Sequence, residues 1–319
     1  MYFLVSNQTN PYWNIAVENY LVEHADDMVL YLWKNHRTVV VGQNQNPFTE
    51  CNVDALVAEG GYLMRRRTGG GAVYHDDGNI NFSFVVPKEQ YDVKRQFSVI
   101  QRAVESFGLS TELSGRNDIL VDAGEGECNK RKFSGNAFSK GRINNLHHGT
   151  ILIKGNIDEL QRYLKPKPAK LQKHGVSSVR SRVVNLAELN PEITSDTIAP
   201  RLLRSFKDEY GENIHSLDFD EIITIPAVKA LYNELSSDEW LYGRWRNFSA
   251  QRSGQFPWGE VDVAISIKDN VISDVQLASD ALDLDSLEIA RQYLVGKQLD
   301  IKTEPTGNII VDDISSLLF

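Results

Sequence analysis

The stretch from Arg65 to Asp76 constrains this chain more than any other. Three consecutive arginines run into Gly69, Gly70 and Gly71, and a short apolar run then ends in His75-Asp76. Glycine has no Cβ, so the backbone here can approach a ligand closely and turn its N–H groups inward. Successive inward amides form an anion-binding nest, and neighbouring guanidiniums add bidentate phosphate contacts. The stretch is not a Walker loop, because no Gly-Lys-Ser/Thr comes after it, and not a dinucleotide fingerprint, because that motif opens a helix. The next residues are strand-like: Ala72-Val73-Tyr74, a turn at Asp77-Gly78, then Asn79 to Phe84 with period two. The expectation is a hairpin whose entry loop cradles phosphate. The plainer alternative is a glycine-rich turn in a twisted sheet with solvated arginines.

Composition matters for what it excludes. A net charge of −9 argues against nonspecific nucleic-acid binding, which needs a basic footprint. No apolar run approaches the length of a membrane span. Met1 leads straight into a strand-like Tyr2-Phe3-Leu4-Val5, with no basic-then-apolar leader. Cys51 and Cys128 are too few for a disulfide framework or a metal cluster, which fits a reducing, cytoplasmic setting. A chain of 319 residues is long for one core, so a large domain with a small companion is expected.

Asn10-Pro11 is a helix start, with Asn able to cap and Pro suited to the first helical position. Val29 to Trp33 and Thr38 to Gly42 are strand-length apolar runs expected to lie side by side. A short helix spans Asp54 to Glu59, and a longer periodic one Tyr91 to Phe107, stopped by Gly108. A strand, Ile119-Leu120-Val121, comes after Arg116-Asn117-Asp118. Lys132 then stands beside Ser134-Gly135, where a lysine supplies a compact, mobile positive charge. His147 and His148 are paired, but adjacent strand residues point to opposite faces, so they do not share one ion. From Gln161 to Ala187 there is no acidic residue, an asymmetry that reads either as a solvated linker or as a lid over a nucleotide's phosphate. A helix is expected over Thr194 to Tyr210, with Pro200 marking a kink or a later start, and another over Ala227 to Leu235. Arg244 to Arg252 reads as a linker. Beyond it, Val261 to Ile267 and Val271 to Leu277 form a hairpin, and Asp283 to Tyr293 a helix.

Several of these pieces together resemble the lipoate–protein ligases. The carriers of the resemblance are Asn14-Ile15-Ala16-Val17-Glu18, Gln45-Asn46-Pro47 with Glu50-Cys51-Asn52, the glycine stretch, Arg116-Asn117-Asp118, Lys132-x-Ser134-Gly135, His147-His148-Gly149-Thr150 and Val179-Arg180-Ser181-Arg182. They cover nearly the whole chain and are densest from Tyr12 to Leu186. One departure is Thr68-Gly69, where the family often carries Ser-Ser; another is a longer segment around Cys128.

The resemblance implies an α+β fold. Its catalytic domain, residues 1–244, would be like that of biotin ligases and class II aminoacyl-tRNA synthetases, with mixed sheets flanked by helices. A small α/β domain would occupy 245–319. It implies ATP and magnesium as cofactors, lipoate or octanoate as substrate, and apo lipoyl domains of 2-oxoacid dehydrogenase E2 subunits or the glycine-cleavage H protein as acceptors. No nucleic-acid or membrane partner is expected. Lys132 would be the catalytic residue, neutralising the carboxylate and the α-phosphate together. Arg67, Gly70, Gly71, Ala72, Val73, Tyr74, Lys132, Asp118, Ser178 and Arg180 would hold the nucleotide. Glu18, Trp33, Arg67, Gly71, His75, Lys132, Gly135, His148 and Thr150 would line the acid's pocket. Asp118 would hold either Lys132 or magnesium. Two other functions share these features: an ATP-independent acyltransferase using Cys128 as nucleophile, and a non-catalytic lipoate-binding protein.

Overall fold

The computed structural model describes residues 1–115, 117–124, 129–165, 183–242, 250–268, 270–298 and 304–318. In chain order the elements are β1 (Tyr2–Val5), α1 (Pro11–His24), β2 (Val29–Trp33), β3 (Thr38–Val41), α2 (Pro47–Glu50), α3 (Val53–Ala58), β4 (Tyr62–Arg65), β5 (Val73–His75), β6 (Asn79–Pro87), α4 (Val93–Glu105), β7 (Thr111–Ser114), β8 (Asp118–Asp122), β9 (Lys130–Lys140), β10 (Asn144–Leu152), α5 (Ile157–Tyr163), α6 (Leu186–Leu189), α7 (Ser195–Tyr210), β11 (His215–Ser216), α8 (Phe219–Ile222), α9 (Pro226–Leu235), α10 (Asp238–Tyr242), β12 (Ala250–Phe256), β13 (Gly259–Lys268), β14 (Val271–Ser279), α11 (Leu284–Leu294) and α12 (Ile309–Ser315).

β6 organises the large sheet, because its period-two sequence separates two unlike faces. Ile80, Phe82, Phe84 and Val86 enter one core, against α4 and α7. Asn79, Asn81 and Ser83 point the other way and are also buried. The sheet runs β11-β1-β2-β6-β10-β9-β8-β7. On its second face α1 and α9 pack together, with Trp13 and Tyr232 stacked at 4.1 Å. α1 begins as its sequence requires, with Asn10 Oδ1 accepting from the Tyr12 N–H and Pro11 opening the helix. A smaller sheet, β4-β3-β5, sits near the glycine stretch, and β12-β13-β14 with α11 and α12 builds a separate apolar core at the C-terminal end.

Four expectations from the sequence are corrected. β5 and β6 are joined by a tight turn but are not a hairpin: β6 has both edges taken, by β2 and β10, so β5 pairs with β3 instead. For the same reason β2 and β3 are not neighbours: β2 lies between β1 and β6, and β3 between β4 and β5. Residues 250–252, expected in a linker, begin β12, an edge strand paired to β13. Its sequence, Ala250-Gln251-Arg252-Ser253-Gly254-Gln255-Phe256, lacks the apolar alternation that marks a half-buried strand. α7 runs through Pro200 from a Thr194 capping box, so the proline neither delays nor ends it.

Candidate active site

A cavity of about 170 Å³ lies where the second face of the large sheet meets the small sheet. Trp33, Asn81 and Thr150 form one row across β2, β6 and β10, because the register pairs Trp33 with Asn81 and Asn81 with Thr150. Ile15 of α1, Val40 of β3 and Val73 of β5 give it an apolar wall, Gly70, Gly71 and Ala72 close another side, and Lys132 and Gly135 stand at the β9 end.

Lys132 and Gly135 fit together by shape. The Lys132 side chain folds back along β9 so that a Cβ on residue 135 would come 2.9 Å from its Nζ. β8 pairs Asp118 opposite Gly135, and the Asp118 carboxylate holds the ammonium at 2.7 Å. Both side chains are about one-third exposed, 36% and 34%, and of the two Lys132 lines the cavity. The structure thus pairs Asp118 with Lys132. Among the described residues no group of three or more His, Cys, Asp or Glu side chains could cage a metal. Magnesium commonly uses one or two carboxylates plus substrate phosphates, and Asp118 fits only that kind of partial ligation.

The three arginines do three different things. Arg65 is buried and donates to the carbonyls of Gly42, Gln43, Gln45, Trp240 and Leu241, tying the 42–45 loop to α10. Arg66 lines the cavity: its Nη2 donates to the carbonyls of Gly69 and Gly71, Nη1 to Val40 O, and Nε to Thr68 Oγ1. Burial pulls its pKa down to about 10, with Glu18 opposing, so it stays cationic at neutral pH. Arg67, expected at the nucleotide and the acid, is instead half-exposed, ion-paired to Glu234 at 2.8 Å and stacked over Trp240. The expectation of several free guanidiniums at the phosphate is therefore corrected. A buried guanidinium must direct its donors to protein carbonyls. The signal that could have singled out Arg66 is absent from the residue types, since all three are alike.

Arg66 also sets the glycine loop. Gly70 takes φ +91°, a region that favours glycine, and its N–H donates to Ala281 O at 3.3 Å. With the Gly71 carbonyl turned to Arg66, trans-peptide geometry sends the Ala72 N–H away from the guanidinium.

His148 and Glu18 form a buried chain into this loop. Glu18 Oε1 accepts from Ser83 Oγ at 2.6 Å and meets His148 Nδ1 at 2.8 Å, while His148 Nε2 meets Thr68 Oγ1 at 2.8 Å. Trp33 Nε1 donates to Ser83 Oγ. Glu18 is only 1% exposed, so it is no surface glutamate; it reaches the cavity through His148. His147 points to the opposite face, among Phe84, Phe97 and Phe138, as strand alternation requires. His75 lines the cavity, and burial, then the charges of Arg66 and His148, push it down to about 3. Tyr74 faces away, its hydroxyl bonded to Glu159. Cys51 is fully buried, and burial pushes its thiol up to about 12, which makes it packing rather than a nucleophile.

Ser178, Arg180, Arg116 and Cys128 lie outside the described residues. The flanks of 166–182 are placed: the Lys165 N–H donates to Glu50 O, and Val183 bridges Lys132 on β9. Asn81 and Asn136 line the cavity and were not expected there. The signal for Asn81 was the buried strand itself, since polar residues alternating with Ile80, Phe82 and Phe84 mark a second buried face.

The profile of the lipoyl protein ligase A/B catalytic domain matches residues 10–207, more than half of the sequence. The chain belongs to this ligase family. A bacterial lipoate protein ligase C-terminus profile matches residues 246–303. A lipoate-protein ligase A of Bdellovibrio bacteriovorus is 39% identical over 297 residues, covering 92% of this chain and 87% of that protein. The crystal structure of P. falciparum LipL1 in complex with lipoate superposes with a TM-score of 0.81 at 29% identity, over 98% of this chain and 93% of the other. A lipoate-protein ligase A bound with ATP matches with a TM-score of 0.58 at 25% identity, over 75% and 97% of the two chains. The chain is therefore an enzyme of the lipoate ligase type, with the mixed α+β fold of that family. No helix among the described residues is long and apolar enough to cross a membrane.

Proposed function

We propose that this enzyme activates lipoate with ATP and passes the lipoyl group to a lysine of an apo lipoyl domain, such as an E2 subunit or the H protein. The observation that carries this is the Lys132 ammonium, held at 2.7 Å by Asp118 at the mouth of a partly apolar cavity that the glycine loop also lines. The relatives crystallised with lipoate and with ATP support the two substrates.

In the first step a carboxylate oxygen attacks the α-phosphorus. The bond to the leaving pyrophosphate breaks with its electron pair, and a lipoyl-adenylate remains. Two anions must meet, and Lys132 offsets their repulsion. One well-aimed donor of this kind contributes about 2.7–4 kcal/mol of transition-state stabilisation. Arg66 adds fixed positive charge at the wall, and the backbone of Gly71 to Tyr74 would lie along the phosphates. Asp118 keeps the ammonium in place and would add one carboxylate to a magnesium ion held chiefly by phosphate oxygens. In the second step the neutral amine of the carrier lysine attacks the acyl carbon, AMP leaves, and a proton is lost from nitrogen. Trp33, Ala72, Val73, His148 and Thr150 would hold the acyl chain, and Ser178 and Arg180 would cover the nucleotide. In this reading residues 1–244 form the catalytic unit, 245–319 the accessory one, and the setting is cytoplasmic.

The test is lipoate-dependent ATP–pyrophosphate exchange, followed by the mass shift of an added carrier domain. Lys132→Ala should slow exchange by roughly 100- to 1,000-fold. Near-normal exchange in that variant would remove the lysine from the mechanism.

A further inference from the structure

Two buried N–H donors, on two residues that line the cavity, lack a partner, and the hydrogen bonds behind them fix which atoms they are. The first chain starts at a backbone amide. Asp76 N–H donates to Asn79 Oδ1 at 2.7 Å, which fixes the Asn79 amide orientation. Asn79 Nδ2 then donates to Asn81 Oδ1 at 3.0 Å, so the free end of Asn81 is its Nδ2. The second chain starts at two carbonyls. Asn14 Nδ2 shares its two hydrogens among three acceptors, Lys34 O at 2.7 Å, Asn35 Oδ1 at 3.1 Å and, at the longest distance, Gln8 O at 3.3 Å. Asn35 Nδ2 therefore faces His75 Nδ1 at 3.3 Å as donor. Nδ1 accepts, so the neutral ring carries its proton on Nε2. Asn81 is 0% and His75 4% exposed, both line the cavity, and Asn81 Nδ2 and His75 Nε2 are buried without a partner.

Their place along the cavity suggests the ligand atom they meet. Lys132 lies over Gly135 on β9, and Asn81 is on β6, with only β10 between. Two strand spacings are about 10 Å. An acid whose carboxylate sits at Lys132 and whose chain crosses β10 at Thr150 brings its tail to Asn81 and His75. Lipoate and octanoate are both eight-carbon acids of nearly that reach, so length does not separate them. The tails differ in chemistry: lipoate ends in a disulfide ring, whose sulfurs accept hydrogen bonds weakly, and octanoate ends in hydrocarbon. A hydrocarbon tail leaves both donors unpaired, as the fold itself does, whereas an acceptor on the tail pairs them and relieves the cost of a buried polar group without a partner.

Building on the lipoate-ligase reading, we propose that Asn81 Nδ2–H and His75 Nε2–H form a donor pair that selects an acid bearing an acceptor at its tail over a plain alkyl acid. This specificity is distinct from the chemistry at Lys132, so it is read in binding, without ATP. Calorimetry on the wild-type protein would compare lipoate, octanoate and an eight-carbon acid carrying a ketone where lipoate carries its inner sulfur. Both acceptor-bearing acids should bind tighter than octanoate, by roughly five- to tenfold for lipoate and more for the ketone. In Asn81→Leu the lipoate-to-octanoate affinity ratio should fall at least threefold, with octanoate gaining. Should that variant not fold, the wild-type series decides alone. Equal affinity for all three acids in the wild type, or an unchanged ratio in a folded Asn81→Leu, overturns the donor pair and leaves the ligase reading standing. Absence of binding by both lipoate and octanoate overturns the ligase reading itself.

Discussion

Gly135→Ala separates what the lysine does from what the fold requires. The backbone at Gly135 is not in the left-handed region, so alanine can adopt it. The added Cβ would come 2.9 Å from Lys132 Nζ and 3.0 Å from Cε, and nothing else is as near. These are the far end of a flexible side chain, so the lysine moves and the backbone stays. An ordinary contact is about 3.5–4.0 Å, so the ammonium must retreat by roughly 0.5–1 Å. A misplacement of about 1 Å at a reacting centre can cost on the order of 100-fold, so exchange should slow by about 10- to 100-fold. Stability should hardly change. The Lys132–Asp118 pair is about one-third exposed on each side, so its disturbance costs under about 1 kcal/mol. Restricting the unfolded chain by replacing glycine returns about 0.4–1 kcal/mol. The assay is ATP–pyrophosphate exchange beside thermal denaturation of the same sample. Exchange within twofold of wild type refutes the placement argument. So does a large loss of Tm that accompanies the loss of activity, because the effect would then be structural.

The two inner arginines and the outer one should differ in kind. Arg66→Met removes donors from three carbonyls and Thr68, and should cost about 3–5 kcal/mol in urea unfolding; Arg67→Met, which breaks an exposed pair with Glu234, should cost under about 1 kcal/mol and leave exchange within a few-fold. Equal losses would mean that the burial difference carries no weight. Stability should also fall in acid through the buried histidines. His75 is held at about 3, and His147 well below its ordinary value, both chiefly by burial, whereas the unfolded chain titrates near 6.5. Below that pH the unfolded state binds more protons, so stability is present above about 6.5 and is lost as pH falls towards the folded values. Each histidine contributes a slope of about 1.4 kcal/mol per pH unit, so unfolding at pH 7 and pH 5 should differ by about 4 kcal/mol. In His147→Gln the difference should be about half; a flat profile from pH 7 to 5 would contradict neutral burial of the pair.

Much of the site was legible in the residues because it rests on local chemistry. Lysine beside Ser134-Gly135, the glycine run and the paired histidines each come from short-range rules: a mobile cation, backbone without Cβ, and strand alternation that sends His147 and His148 to opposite faces. The helix start at Asn10-Pro11 was equally local. What the residue types left open was partnership. Apolar runs of strand length marked β2 and β3, and period two marked β6 after the strand-like β5, but strand pairing depends on which edges are free, and β6 has both edges occupied by elements distant in sequence. Three identical arginines gave no means of choosing Arg66, because the choice depends on which carbonyls surround each one. Glu18 became a buried partner of His148 only when β10 was laid against β6, and β6 faced α1. Sequence alone marked candidate groups and their local geometry; tertiary structure decided which residues share a cavity, because burial and pairing are properties of neighbours that the chain brings together only on folding.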